Sequence, residues 1–326
     1  MQMKLSRKAA LLSACALLAA VCLGAARFAG VGAGSGQKLS VVCTIFPIYD
    51  WTREILGARA SETELTLLLS NGTDLHNYQP STNDFVKISR CGLFAFVGGK
   101  SDAWTQDALR EAVNKKIAAI DLMKVLGPRM KREEAVEGME EDHDEGGPAY
   151  DEHVWLSLRN AKAACAAIAE KLCEIDPQHA DEYKKNEAAY AARLDALDKE
   201  YGQVVAAAKN KTLLFGDRFP FRYLADDYGL KYYAAFPGCS AETEASFRTV
   251  IFLAKKAGEL RLRHVLVIDG SNRTVAQAII QAAPRRDLDI LTLDSMQSVT
   301  AKQIEAGTTY LSVMRANLDA LREALN

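Results

Sequence analysis

From residue 38 onward, short apolar runs alternate with longer segments in which apolar residues recur every three or four positions. The runs LSVVCTIF (39–46), ELTLLL (64–69), LFAFVG (93–98) and KIAAID (116–121) have the length of strands, and the stretches near 47–57, 82–90 and 102–114 have helical periodicity. The alternation resumes with KTLLFG (211–216), LKYYAAF (230–236), HVLVID (264–269) and DILTLD (289–294), and a last helix is predicted from about residue 300 to the end. Strands that alternate with helices argue for mostly parallel sheets covered on both faces. Between the two halves, 160–173 reads as a helix and 181–209 as a longer one, with Tyr183, Ala188, Tyr190, Ala191, Leu194, Leu197, Tyr201, Val204 and Val205 near 3.6-residue spacing. At about 1.5 Å per residue that helix would be roughly 40 Å long. The expected fold class is therefore α/β, with two lobes, each a mostly parallel sheet covered by helices, joined by one long rigid helix.

Composition adds boundaries to this picture. The expected organisation is an export signal or membrane anchor with a linker (1–36), an N-terminal α/β lobe (37–178), a connecting helix (179–209) and a C-terminal α/β lobe (210–326). The first segment has three basic residues, an apolar run from Ala9 to Ala26 and a Gly/Ser-rich stretch, the pattern of an export signal. The apolar run is also about long enough to span a bilayer. Cys15 lies early in that run for lipid attachment, and Cys22 is better placed but follows Val21, so both stay open. The protein is expected in the periplasm or on the outer face of the cytoplasmic membrane. A net charge of −2, with no basic run interleaved with aromatics, argues against nucleic acid as a partner.

Five cysteines follow the first segment, an odd number. Cys165 and Cys173 share one predicted helix and are too far apart to bridge. Buried free thiols are expected, with Cys43–Cys91 left as the one pair open to a disulfide. Residues 131–152 carry ten acids, three glycines and one proline, and read as a solvated loop. Its negative field would concentrate cations nearby, and His143 with Asp142 and Asp144 could hold a metal loosely.

Open α/β sheets bind ligands beyond the carboxyl ends of their strands, so two facing lobes make a cleft. His76, in SNGTDLHNYQPSTND (70–84), falls in such a loop, and His153, in YDEHVWLS, leads from the acidic segment into a helix. Neutral imidazole is the commonest metal-binding side chain near neutral pH. Asp217, Asp269 and Asp294 stand where strands run out, although each has an ordinary reading as a turn or cap residue. The sequence holds no HExxH motif, nucleophile elbow or paired two-metal motif. A metallohydrolase, with Asp217 or Glu152 as base, is a remote alternative.

At this point phrases across nearly the whole chain resemble the metal-specific solute-binding proteins of bacterial ABC importers, the zinc and manganese class. VVCTIFPIYDW, LLLSNGTDLHNYQPSTND, LFAFVGGKSDAW, DEHVWLSLRNA, FRYLADDYGLKY and YLSVMRANLDALREAL carry the likeness. The resemblance implies a divalent metal held between the lobes by two ligands from each, a permease as partner, a monomer and no enzymatic activity. It carries His76 and His153 over as ligands, and aligns Asp294 with an aspartate after the last strand. The third position departs from the family. Where a histidine or glutamate would stand, FGDRFPFRYL has neither and is about one residue longer. Asp217 is the nearest residue able to bind a cation, with Glu242 or Glu244 as substitutes. The resemblance and the acidic loop favour zinc as cargo, and two imidazoles with two carboxylates would also suit manganese or iron(II). A metal-sequestering surface adhesin could use the same site. His179 and His264 are not expected to bind metal, and the three tryptophans read as packing residues.

Overall fold

A computed structural model describes residues 38–139, 150–240, 244–285 and 287–326. Each of the eight predicted strands is present. In the first lobe they are β1 (Ser40–Cys43), β2 (Glu64–Leu67), β3 (Leu93–Phe96) and β4 (Ala118–Asp121); in the second, β5 (Thr212–Phe219), β6 (Lys231–Pro237), β7 (His264–Ile268) and β8 (Asp289–Leu293). Every strand pairing is parallel, and the spatial orders are β2-β1-β3-β4 and β6-β5-β7-β8. The lobes thus share one topology without sharing sequence. Their order reverses direction beside β1 and β5, and crevices for ligands form at such reversals.

The first-lobe helices are α1 (Phe46–Leu56), α2 (Thr82–Arg90), α3 (Trp104–Glu111) and α4 (Leu122–Leu126). Ser81 and Asp84 form a reciprocal capping box that starts α2 right after the His76 loop. Then come α5 (Leu158–Ile175) and α6 (Ala180–Ala207), whose 28 residues span about 42 Å. The second lobe holds α7 (Arg222–Tyr228), α8 (Phe247–Glu259) and α9 (Thr274–Ala282). The predicted single last helix is two: α10 (Ala301–Glu305) and α11 (Tyr310–Ala324). Thr309 starts the second with its own capping box to Ser312, a restart signal inside an otherwise continuous apolar pattern.

Leu39 to Asn326 form one compact unit, and one core runs through both lobes. The buried face of α6 (Tyr183, Tyr190, Leu194, Leu197, Tyr201, Val205) belongs to it, as do the interior of the first sheet and one face of the second. A smaller core covers the other face of the second sheet, with Leu214, Val265 and Val267 packed against Leu253 and Ile279. The chain's end returns to its beginning. Tyr310 of α11 stacks edge-on against Trp51 of α1 at 5.1 Å, its N–H donates to Asp50, and its hydroxyl donates to the Trp155 carbonyl.

The described cysteines are all free, and Cys43 and Cys91, the pair left open to a disulfide, are both buried and unbridged. Within 131–152, several described residues are exposed, yet part of the segment is fastened to the second lobe. Lys131, Glu133, Glu134 and Gly138 are tied in turn to Tyr223, Cys239, Arg222 with Tyr232, and Thr249, all of the second lobe. Asp151 and Glu152 are buried. His143 and its acidic neighbours lie outside the described residues, as do residues 1–37 and Glu242.

Candidate metal centre

Two short Asp-x-His turns build the first-lobe half of the site. In Asp74-Leu75-His76 the His76 N–H donates to Asp74 Oδ1 at 2.9 Å, and in Asp151-Glu152-His153 the His153 N–H donates to Asp151 Oδ1 at 2.8 Å. An aspartate that accepts the amide two residues on is an Asx turn, and it fixes the direction of the histidine that follows. The turns lie 77 residues apart in sequence, yet the two Nε2 atoms face each other at 3.1 Å. Two nitrogen donors on one tetrahedral zinc ion, each at about 2.05 Å, are roughly 3.3 Å apart.

Each ring is held from behind. His153 Nδ1 lies 3.0 Å from Asp151 Oδ1; a carboxylate only accepts, so Nδ1 carries the proton and Nε2 presents its lone pair. His76 Nδ1 lies 2.8 Å from Ser101 Oγ and 3.7 Å from Glu152 Oε2. Glu152 is itself cradled by the turn after β3, where Oε1 accepts the N–H groups of Lys100 and Ser101. Gly99 makes that turn possible: its φ is +79°, and a Cβ there would fall 2.4 Å from Glu152 Oε1. Glu152 Oε2 is buried with no hydrogen-bond partner, a cost tolerated where a cation is expected nearby. Imidazoles backed by carboxylates, with the far nitrogen free, are the usual support of metal-binding histidines.

The electrostatics differ between the two rings. Burial, then the His153 ring, pushes His76 down to about 3, so it is neutral and able to bind metal at any ordinary pH. Burial also works against charging His153, but the Asp151 carboxylate outweighs it and the group is raised. Burial opposes charge on Asp74 as well, yet His76 and Arg218 together lower it.

The second lobe contributes a residue that the sequence reading missed. Among the described residues, the one group of three or more His, Cys, Asp or Glu side chains with donor atoms all within 4.8 Å is His76, His153 and Cys239. Cys239 follows β6, which ends at Pro237, so it obeys the same strand-end rule that singled out the aspartates. Asp217 is not part of the group. Its carboxylate accepts the Arg218 N–H at 2.8 Å and the Ile268 N–H at 3.4 Å, the work of a strand-end turn residue. Arg218 pairs with Asp74 across the lobes at 2.9 Å rather than with its neighbour. Glu244 is exposed and outside the group. Asp294, at the end of β8, is also outside it. Burial, then Asp269, pushes Asp294 up to about 6, and its Oδ1 accepts the Met296 N–H. The next residue, Ser295, is joined to the His153 turn: its carbonyl accepts the Trp155 indole N–H at 2.8 Å. Asp269 is occupied by the Ser295 N–H and the hydroxyls of Ser295 and Ser298. His179 pairs with Asp176, and His264 lies beside Glu323.

A family profile described as "Zinc-uptake complex component A periplasmic" matches residues 41–324. The chain belongs to the ZnuA family. Among curated ZnuA-family relatives, it is 29% identical over 294 residues to the zinc-binding protein AdcA of Streptococcus pyogenes, covering 87% of this chain and 56% of that protein. It therefore spans little more than half the length of that relative. It is 27% identical over 321 residues to the high-affinity zinc uptake system protein ZnuA of Bacillus subtilis, covering 96% of each. Among solved structures, it is similar to the Zn(II)-bound ZnuA-like domain of Streptococcus pneumoniae AdcA, with a TM-score of 0.70 and 27% identity over 89% of this chain and 99% of that one.

Proposed function

We infer that this ZnuA-family chain captures a zinc ion outside the cytoplasm and hands it to an ABC permease. The observation that carries the reading is the His76–His153 pair, with facing Nε2 atoms at 3.1 Å and a carboxylate behind each ring. Two lone-pair nitrogens at that distance repel unless a proton or a cation lies between them. The zinc-binding and zinc-uptake names of the relatives support the choice of ion and the role in uptake. Asp294 is assigned as a ligand from the second lobe, because it is a buried carboxylate beside a second one and its charge wants a cation. Reaching the ion requires the loop after β8 to move toward the His153 turn. Manganese is the second cargo to be tested, and the site is read as one of capture rather than catalysis.

The test uses the full chain stripped of metal by chelator and titrated calorimetrically with zinc against a competing chelator. One tight site per chain is expected. His76→Ala and His153→Ala should each weaken it by more than about a hundredfold, beyond the range for losing only a supporting partner. Unchanged tight binding in both variants would sink the reading.

A further inference from the structure

We propose that Cys239 is the third protein ligand of this site: its thiolate joins Nε2 of His76 and Nε2 of His153 on the captured ion and biases the site toward zinc and against manganese. The inference deepens the zinc-capture reading above and rests on it.

One donor atom from each of the three residues already lies within 4.8 Å of the other two. A thiolate and an imidazole on one tetrahedral zinc are roughly 3.6 Å apart, so closing the triangle takes at most about one ångström of adjustment. The turn that carries Cys239 is held in place from two directions. The Cys239 N–H donates to Glu133 Oε1 at 2.9 Å, which ties it to the segment leading to the His153 turn. The carbonyl of Ser240 accepts from Arg218, whose other nitrogen binds Asp74 of the His76 turn. One guanidinium therefore spans the turns that carry His76 and Cys239. Gly238 supplies the close approach. A Cβ there would sit 2.9 Å from the Phe219 carbonyl and 3.2 Å from His153 Nδ1, so no other residue lets the turn lie so near the ring.

The local strand geometry explains why a cysteine stands here. Phe215 of β5 pairs with Ala234 of β6, but the next pair is Arg218 with Phe236, so β5 carries one extra residue. That bulge is the additional residue visible in FGDRFPFRYL. It leaves Asp217 occupied by backbone N–H groups, as described above, and continues the β5–β6 pairing to Phe219 and Pro237. The extended pairing carries Gly238 and Cys239 up to the imidazoles. The position that resemblance would give to a histidine on the β5 side is thus replaced by a thiol at the end of β6. Behind His76, the buried Glu152 keeps Oε2 unpartnered 3.7 Å from Nδ1, which adds negative charge next to the cluster that a bound cation would offset. Thiolate is a soft ligand that suits zinc and does not suit manganese, so the cysteine sets preference as well as affinity.

The experiment compares the metal-stripped full chain with Cys239→Ser, using zinc, cobalt(II) and manganese(II) as probes. The wild type should bind one equivalent of cobalt with the near-ultraviolet absorption of a sulfur-to-cobalt charge transfer. C239S should lose that absorption and weaken zinc by about a hundredfold while leaving manganese affinity unchanged. As a check independent of any variant, zinc should protect Cys239 in the wild type from alkylation, read by peptide mapping. If the sulfur band is absent from wild type and zinc gives no protection, the proposal is overturned. If C239S keeps zinc affinity while the two histidine variants lose it, Cys239 alone is wrong; if all three keep it, the zinc-capture reading has failed first.

Discussion

At the residue scale the site is a set of supported donors. Asp151 and Glu152 touch no ligand position, yet they fix the rings that do, and both are buried. Asp151→Asn and Glu152→Gln should each lower zinc affinity about 10- to 100-fold without unfolding the protein, as competition calorimetry with a circular-dichroism control would register. Asp102 gives a separate prediction about stability. Its Oδ2 accepts the Val97 and Gly98 N–H groups, its Oδ1 has no partner, and burial pushes it from 3.8 up to about 7. A folded-state value above the unfolded one means the folded protein holds the extra proton between those limits. The contribution is therefore complete below about pH 4 and is lost as pH rises through about 7. Between pH 5 and 8 the wild type should lose on the order of 2 kcal/mol more stability than Asp102→Asn, measured by urea unfolding. Equal losses would show that Asp102 is not the group responsible.

His76 stands out in the sequence in a loop after a strand, and His153 in a phrase that leads from the acidic segment into a helix; the repeated Asp-x-His turn gives a physical reason for the direction of both rings. The place of Cys239 beside the two histidines was not legible. A cysteine without a partner at metal-ligand spacing reads as a free thiol, and only the end of β6 reveals what stands opposite it. That Asp217 falls outside the group was not legible for a related reason, because a bulge is invisible in a one-dimensional pattern. The sequence showed one residue too many, but not which way the chain would fold it.

At the scale of elements, periodicity found every strand because parallel strands buried on both faces leave continuous apolar runs. It failed where local chemistry overrides pattern. Thr300 and Thr309 each open a helix with a capping box, so the final stretch breaks in two. The acidic segment shows a different limit. Its composition says solvated, but Glu133 and Glu134 have specific partners on the second lobe, and charge counts do not see partners. Removing one such tether should be visible locally. Glu133→Ala should speed hydrogen exchange at the amides of 237–240 by several-fold while leaving exchange in β1 and β3 unchanged, because the freed Cys239 N–H loses its acceptor.

At the scale of the whole molecule the lobes are joined by more than α6. The 131–139 segment lies on the second lobe, and α11 packs back against α1, so a wide hinge opening would tear apart a shared core. Arg218 adds a polar link, with side-chain exposures of 17% for itself and 15% for Asp74. Arg218→Met should destabilise the protein by about 2 kcal/mol in urea unfolding, less than a fully buried pair would cost, because Asp74 is left partly buried without its counter-charge.

The unequal depth of the two rings also sets an order of events. His153 is wholly buried, whereas the His76 side chain keeps 10% of its exposure. On the proposed capture reading, an ion held by both rings would be walled in on one side and reachable on the other, and unloading is expected to begin when His76 swings away, with His153 letting go last. Release into a strong chelator should run at a rate independent of chelator concentration, because the chelator waits for the protein. Ser101→Ala, which frees the His76 ring from its hydroxyl partner, should quicken that release while leaving capture nearly as fast, as stopped-flow measurement of both directions would reveal. On the proposed uptake reading, a receiving permease would not need to pull on the ion at all; it would only have to hold one loop aside.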